Sequence, residues 1–105
     1  MTLTRDFKDT IKARAAVDPA FRMALLSEAI EILLADDLQS GKSILRDYIN
    51  ATIGFAGLAS QSGLSAKSLM RMFSIAGNPR ADNLFKVIAI LQRSEGIQLS
   101  VRAAA

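Results

Sequence analysis

The 105-residue sequence predicts an all-α domain of five to six helices followed by a short C-terminal β-strand. Apolar residues recur at spacings of three and four along most of the chain, which is the periodicity of helices with one buried face. Turn-forming residues separate these segments at Asp18-Pro19, Gly63 and Gly77-Asn78-Pro79. Only the segment Ile97–Arg102 alternates strictly between apolar and polar residues, which predicts a half-buried strand.

The N-terminal third of the chain contains the first two predicted helices. Leu3, Phe7 and Ile11 recur at four-residue spacing, which predicts an amphipathic helix over about Asp6–Ala16. Asp18 is a suitable N-cap and Pro19 a suitable first residue for the second helix, which extends to about Leu34.

The second predicted helix is unusually apolar. Ten of the fourteen residues from Phe21 to Leu34 are apolar, and they form two stripes. One stripe contains Phe21, Leu25 and Ile32, and the other contains Met23, Leu26, Ile30 and Leu33. A surface helix needs only one apolar stripe. The pattern therefore fits either a central core helix or a helix that also contacts another subunit or a partner.

Two further helices flank the middle of the chain. A third helix is predicted over about Lys42–Ala51, closed by Gly54. The last helix is predicted over about Ala81–Arg93, with Gly96 as its C-cap.

The predicted strand Ile97–Arg102 needs a partner, because a lone strand leaves its backbone groups unpaired. No second strand is evident in the sequence. A symmetry-related copy of the same strand would supply one, which predicts a homodimer. The alternative is an extended tail that packs on the helices.

The segment from Phe55 to Ser74 predicts two short helices joined by a tight turn at Gly63. The first helix buries Phe55, Leu58 and Ala59, and the second starts at Ser65 and buries Leu69, Met72 and Phe73. This is the pattern of a helix-turn-helix, whose second helix enters the major groove of DNA. We therefore divide the chain into an N-terminal helical extension, residues 1–38, and a helix-turn-helix domain with its strand, residues 39–105.

Charge is distributed unevenly around this motif. The formal net charge is 13 − 10 = +3, but residues 1–38 contribute −2 (five basic and seven acidic) and residues 39–105 contribute +5 (eight basic and three acidic). No acidic residue occurs from Tyr48 to Ala81. A DNA-facing surface needs one-signed positive charge to replace counterions at phosphates. The alternative is an ordinary solvated face with few acids.

Nine residues are candidate DNA contacts. Base edges are expected to meet the start of the second helix and the residue one turn on, at Ser65, Ala66, Lys67, Ser68 and Arg71. Phosphates are expected to meet Ser62, Ser74, Asn78 and Arg80. Ser65 is equally suited to capping the helix. For Asn78, capping or shaping the loop is favoured over a phosphate contact. Arg71 is the best candidate for a bidentate contact with guanine.

The composition excludes several other classes of function. The chain has no cysteine and no histidine, so we expect no disulfide, no metal site, no cofactor and no enzymatic activity. Charged residues among the first twenty, including Arg5, Asp6, Lys8, Asp9 and Lys12, argue against a signal peptide, and acidic residues interrupt the longest apolar run. We expect a cytoplasmic protein that does not contact membranes.

Several short motifs resemble the addiction-module antidote proteins. They are Leu45–Phe55, Leu58-Ala59, Ser68–Met72, Gly77-Asn78-Pro79, Asn83-Leu84-Phe85 and Val87-Ile88. Members of this family are HigA-type antitoxins with a Cro/repressor-like (XRE-type) helix-turn-helix. The match covers about Asp37–Val101 well and the N-terminal third loosely.

The resemblance implies a dimeric repressor of its own operon that binds double-stranded DNA and a small RelE/HigB-like ribonuclease toxin. It assigns DNA contacts to the same residues of the second helix, from Ser65 to Ser68 and Arg71. The N-terminal helices, with Phe21, Leu25 and Ile32, are the expected dimer or toxin contact. The alternatives are a plain transcriptional regulator without a toxin and a helical protein-interaction module.

Overall fold

The computed structural model describes residues 3–105, with side chains from Phe7 onward. This part of the chain contains six α-helices and no strand, so the all-α prediction is confirmed. In chain order the helices are α1 (Leu3–Val17), α2 (Pro19–Leu34), α3 (Leu38–Ala51), α4 (Gly54–Ser62), α5 (Ala66–Met72) and α6 (Ala81–Glu95). None of these helices is long and apolar enough to cross a lipid bilayer.

Side-chain caps determine where the second and third helices begin. An Asp18 Oδ1 oxygen accepts a hydrogen bond from the Phe21 amide (3.1 Å), and Pro19 is the first residue of α2, as predicted. Helix α3 begins at Leu38, earlier than predicted. The cause is Asp37, whose Oδ1 accepts from the Ser40 amide (3.0 Å) and so caps the helix one turn before Lys42.

The prediction that Gly54 closes α3 is wrong. Helix α3 ends at Ala51, and Thr52 is its C-cap, with its hydroxyl donating to the Tyr48 carbonyl (2.7 Å). Gly54 is instead the first residue of α4, with a φ of 73° that glycine adopts without strain. Gly96 caps α6 as predicted, in the left-handed conformation.

Five helices contribute to one hydrophobic core. Phe73, directly after α5, is also part of this core. The fully buried residues on the helices are Leu26 and Ala29 of α2, Leu45, Tyr48 and Ile49 of α3, Leu58 of α4, Leu69 of α5, and Val87, Ile90 and Leu91 of α6. Helix α2 thus shares the core of residues 39–105. At its C-terminal end Leu34 stays 69% exposed, so the apolar surface of α2 is only partly covered within one chain.

A hydrogen-bond network fixes the N-terminal helices to the rest of the domain. The Arg22 guanidinium of α2 donates through Nε to both Glu95 carboxylate oxygens of α6 (3.0 and 3.1 Å) and through Nη1 to the Ala15 carbonyl of α1 (2.7 Å). Tyr48 of α3 donates its hydroxyl proton to Glu95 Oε1 (2.7 Å). One carboxylate therefore joins α2, α3 and α6.

The predicted C-terminal strand is not present in the described chain. Residues 97–105 are irregular, and Ile97 and Leu99 pack against the core. The Leu99 amide donates to Oε1 of Gln92 (2.7 Å) rather than to a neighbouring strand. Ile97 and Leu99 therefore face the helices, as in the extended-tail alternative, whereas Val101, the next apolar residue of the alternation, is 84% exposed. Without this strand, strand pairing between two copies no longer supports a homodimer.

Candidate nucleic-acid interface

The turn between α4 and α5 depends on one glycine. Gly63 adopts a φ of 76°, and its amide donates to the Ala59 carbonyl (3.1 Å), which ends α4. Ser62 lies beside it and is only 8% exposed, and its Oγ accepts from the Leu64 amide (3.1 Å). Ser62 therefore stabilises the turn, and it is the least accessible of the nine candidate contacts.

Helix α5 presents one face to the core and one to solvent. Ser65 caps it, with Oγ accepting from the Ser68 amide (3.0 Å), so the capping role foreseen for this residue is present. Leu69 is fully buried, and Phe73 packs against Phe55 with ring centroids 6.3 Å apart. These apolar contacts determine which side chains of α5 point outward.

Lys67 and Arg71 are exposed cations on the outer face of α5. They lie one turn apart, at positions i and i+4. Among the described side chains, from Phe7 to the C-terminus, neither has a hydrogen-bond or ion-pair partner. Their charges are therefore available to a ligand outside the chain.

A loop, residues 73–80, connects α5 to α6 and is tied back to α5. The Ser74 hydroxyl donates to the Arg71 carbonyl (2.7 Å), and the Ser74 amide donates to the same oxygen (3.2 Å). Gly77 lies so close to the end of α5 that a Cβ atom would meet the Arg71 and Met72 carbonyl oxygens. Only glycine fits at this close approach.

The loop is also held from the other side by Lys42 of α3. This lysine is 1% exposed, and its ammonium group donates to the carbonyls of Ser74 (2.8 Å), Ile75 (3.5 Å) and Gly77 (2.5 Å). This role of Lys42 was not predicted from the sequence. A signal was present, because Lys42 falls on the same helical face as Leu45 and Ile49, where a charged residue needs a buried partner.

Five of the nine candidate contacts surround one open concavity of about 470 Å³. They are Ser68, Arg71, Ser74, Asn78 and Arg80, and Asn83 of α6 is a further lining residue that sequence analysis missed. The fold therefore brings the outer face of α5 and the start of α6 to one surface. Ser62, Ser65, Ala66 and Lys67 lie outside this lining.

Arg80 differs from the two cations of α5 because it has a partner. Its Nη2 atom lies 3.1 Å from the Asp82 carboxylate, and both side chains are largely exposed. Asp82 also accepts from the Asn83 amide (2.8 Å). Asp82 is the first acidic residue after the acid-free stretch, so this carboxylate reduces the positive charge at the end of the concavity. An exposed pair of this kind is weak, and another anion can displace it.

The described residues contain no group of three or more His, Cys, Asp or Glu side chains that could hold a metal ion. Comparisons of the chain with protein-family models, with curated proteins and with solved structures found no match.

Proposed function

We propose that this chain is a sequence-specific DNA-binding transcriptional regulator with a Cro/repressor-like helix-turn-helix, formed by α4, the Gly63 turn and α5. The observation that supports this function best is the pair of unpartnered, exposed cations Lys67 and Arg71 on α5, of which Arg71 lines a concavity together with Arg80. Phosphates recruit cations of this kind, because each neutralised phosphate releases condensed counterions. The proposal includes no catalytic activity.

In this proposal α5 enters the major groove. The Arg71 guanidinium pairs with O6 and N7 of a guanine, whose geometry its planar fork matches. Lys67 contacts a base or a phosphate, Ser65 and Ser68 offer hydroxyls, and Ala66 contacts a thymine methyl group. The accessible backbone contacts are Ser74, Asn78 and Arg80, since Ser62 is buried in the turn.

We further propose that the regulator acts in the cytoplasm as a homodimer and is the antitoxin of a toxin–antitoxin module that represses its own operon. This part rests on the resemblance of the sequence to addiction-module antidote proteins. Two recognition helices would contact half-sites about 34 Å apart, one turn of DNA. The partially covered apolar residues Phe21, Leu25 and Ile32 of α2 are the proposed contact for a small RelE/HigB-like toxin.

One observation favours the alternative of a helical protein-interaction module. Leu34 and Phe85 are 69% and 66% exposed, and both line an apolar groove of about 340 Å³ between α2 and α6. Large exposed apolar side chains that lie together are typical of protein contacts. A regulator with a toxin partner has the same feature, so DNA binding is what separates the two functions.

A gel-retardation assay tests the proposal with duplex DNA from the region upstream of the protein's own coding sequence. The wild-type protein should retard this DNA, and the affinity should fall steeply with salt. Arg80→Ala should weaken binding to all sequences and lower the salt slope by about one. Asp82→Asn should strengthen binding, because it removes the carboxylate that neutralises Arg80.

Arg93→Ala is the matched control. Arg93 is also an exposed arginine of α6, but it lies thirteen residues after Arg80, about 20 Å along the helix. Both substitutions remove one positive charge, so a loss confined to Arg80→Ala identifies a local contact rather than a change in net charge. Equal effects of the two substitutions, or no salt-sensitive retardation of any duplex, would contradict the proposed DNA interface.

A further inference from the structure

Among the described side chains, no carboxylate forms an ion pair with the buried ammonium group of Lys42. In the part of the chain with described side chains, its only hydrogen-bond partners are three carbonyl oxygens of one loop, from Ser74, Ile75 and Gly77. These three acceptors match the three donors of an ammonium group. The satisfied geometry explains how a charged side chain tolerates 1% exposure.

Burying a charged side chain in a core is unfavourable, because the charge loses its hydration. A methionine or leucine at this position of α3 would occupy a similar volume without the loss of hydration that the ammonium group suffers. An apolar side chain, however, donates no hydrogen bonds. Only a donor can hold the three carbonyl oxygens at defined positions. The charge of Lys42 therefore determines the position of the loop more than it stabilises the core.

The loop that Lys42 holds is the connection between the two parts of the candidate interface. It begins after Met72, the neighbour of Arg71 at the end of α5, and contains Asn78 and Arg80, which precede α6. Ser74 and Gly77 tie the loop to the end of α5, and Lys42 ties it to α3. The ammonium group is the only tether from outside α5 among the described hydrogen bonds of residues 74–77.

We propose that Lys42 is a positioning residue of the DNA interface. It does not touch DNA; it sets the distance between Arg71, which meets a base, and the phosphate contacts Asn78 and Arg80. This inference rests on the proposed function. With the loop fixed, one DNA duplex can meet both parts of the concavity without an ordering cost at binding.

Lys42→Met tests this inference, because methionine keeps the unbranched stem and removes the ammonium group. We expect a folded protein whose affinity for the upstream duplex falls about tenfold, the size of one lost charge-assisted contact. Arg80→Ala should then have a much smaller effect in the Lys42→Met background than in the wild type, because Arg80 no longer reaches its phosphate. The effect of Arg71→Ala should be unchanged.

Ile90→Val is the control for a general loss of stability. Ile90 is a fully buried residue of α6 that has no contact with Lys42 among the described hydrogen bonds, and its substitution weakens the core. It should leave the effect of Arg80→Ala at its wild-type size. Should Lys42→Met not fold, Lys42→Arg takes its place. This variant keeps the charge and donors, but its larger guanidinium displaces the loop, so the same fall in the Arg80→Ala effect is expected.

Independent effects of Lys42 and Arg80 on affinity would overturn the inference. Amide hydrogen exchange at Gly77, whose N–H donates to the Ser74 carbonyl (3.1 Å), measures the loop without DNA. This amide should exchange faster in the Lys42 variant than in Ile90→Val, and equal exchange would also overturn the inference. If the wild type binds no DNA while Gly77 still responds to Lys42, the proposed function fails and the loop tether stands.

Discussion

Replacing Tyr48 with phenylalanine removes one hydrogen bond from the network that joins the N-terminal helices to α6. The Tyr48 hydroxyl lies 2.7 Å from Glu95 Oε1, and the tyrosine is 1% exposed. Phenylalanine fills the same space, so no cavity opens. Glu95 keeps both hydrogen bonds from Arg22. The expected cost is therefore near the lower limit for a bond to a charged group, about 1.5 kcal/mol.

For a domain of this size, that loss lowers the melting temperature by about 6–12 °C at pH 7. Circular dichroism on heating and in urea measures it. The urea dependence of the unfolding free energy should keep its slope, because the variant exposes the same surface when it unfolds. Equal melting temperatures for the wild type and Tyr48→Phe at pH 7 would refute the assigned hydrogen bond.

The difference in stability between the wild type and Tyr48→Phe should also depend on pH. Burial opposes ionisation of Glu95, but hydrogen bonds from Arg22 and Tyr48, with the charge of Arg22, outweigh it and lower the carboxyl pKa. Because the folded pKa lies below the unfolded one, this stabilisation is complete above about pH 4.3 and is lost on further acidification. The destabilisation by Tyr48→Phe should shrink in the same range.

At alkaline pH, ionisation of the Tyr48 phenol should lower the stability of the wild type. Burial, followed by the hydrogen bond to Glu95, raises the pKa of Tyr48. A raised pKa means that the stabilisation is complete below the unfolded value, about pH 10, and decreases above it. Tyr48 is the only tyrosine, and the chain has no tryptophan. A titration of tyrosinate absorbance therefore measures this pKa directly, and a midpoint near pH 10 in the folded protein would contradict its burial.

Three further predictions concern the interface and the C-terminal tail. Arg71→Ala should cost about 1–3 kcal/mol on the cognate site and relax the preference at one base pair; an unchanged preference in selection from random duplexes would remove Arg71 from base recognition. Gly77→Ala should destabilise the protein by about 1–3 kcal/mol in urea unfolding, because its Cβ overlaps the Arg71 carbonyl and lies 2.8 Å from the Met72 oxygen. Gly63→Ala is the comparison for Gly77→Ala. No atom lies within 4 Å of the Cβ added at Gly63, so only the strain of a positive φ is expected, about 1 kcal/mol. Equal stability of Gly77→Ala and the wild type would contradict the close approach at Gly77. Deletion of residues 97–105 should lower the melting temperature, because Ile97 and Leu99 leave the core. It should not change the oligomeric state, measured as mass in solution. A fall from dimer to monomer would show that the tails pair between subunits.

Local chemistry explains why so much of the helical pattern could be predicted. An aspartate before a proline caps a helix through its own hydrogen bond, and Gly63 and Gly96 end helices because they adopt left-handed backbone at little cost. These effects involve residues three or four positions apart. The start of α3 was missed for a local reason too, since Asp37 caps it one turn before the apolar spacing begins.

The candidate interface was predictable only in part. The outward positions of Lys67 and Arg71 follow from the helical spacing that buries Leu69. The ion pair between Arg80 and Asp82 was overlooked because the acid-free stretch ends one residue before Asp82. The concavity that joins Ser68 to Arg80 depends on how α5 and α6 pack, which spacing along the chain does not specify.

By itself the sequence determined the all-α class, the segments that form helices and the cations that face solvent, because short-range periodicity and capping control these properties. The tertiary structure alone decided which distant groups meet: Arg22 with Glu95, 73 residues apart, and Lys42 with the Gly77 carbonyl, 35 residues apart. It also decided that Ile97 and Leu99 pack on helices rather than form a strand. A buried polar group is stable only where a partner lies within hydrogen-bond distance, and only the packed chain supplies that partner.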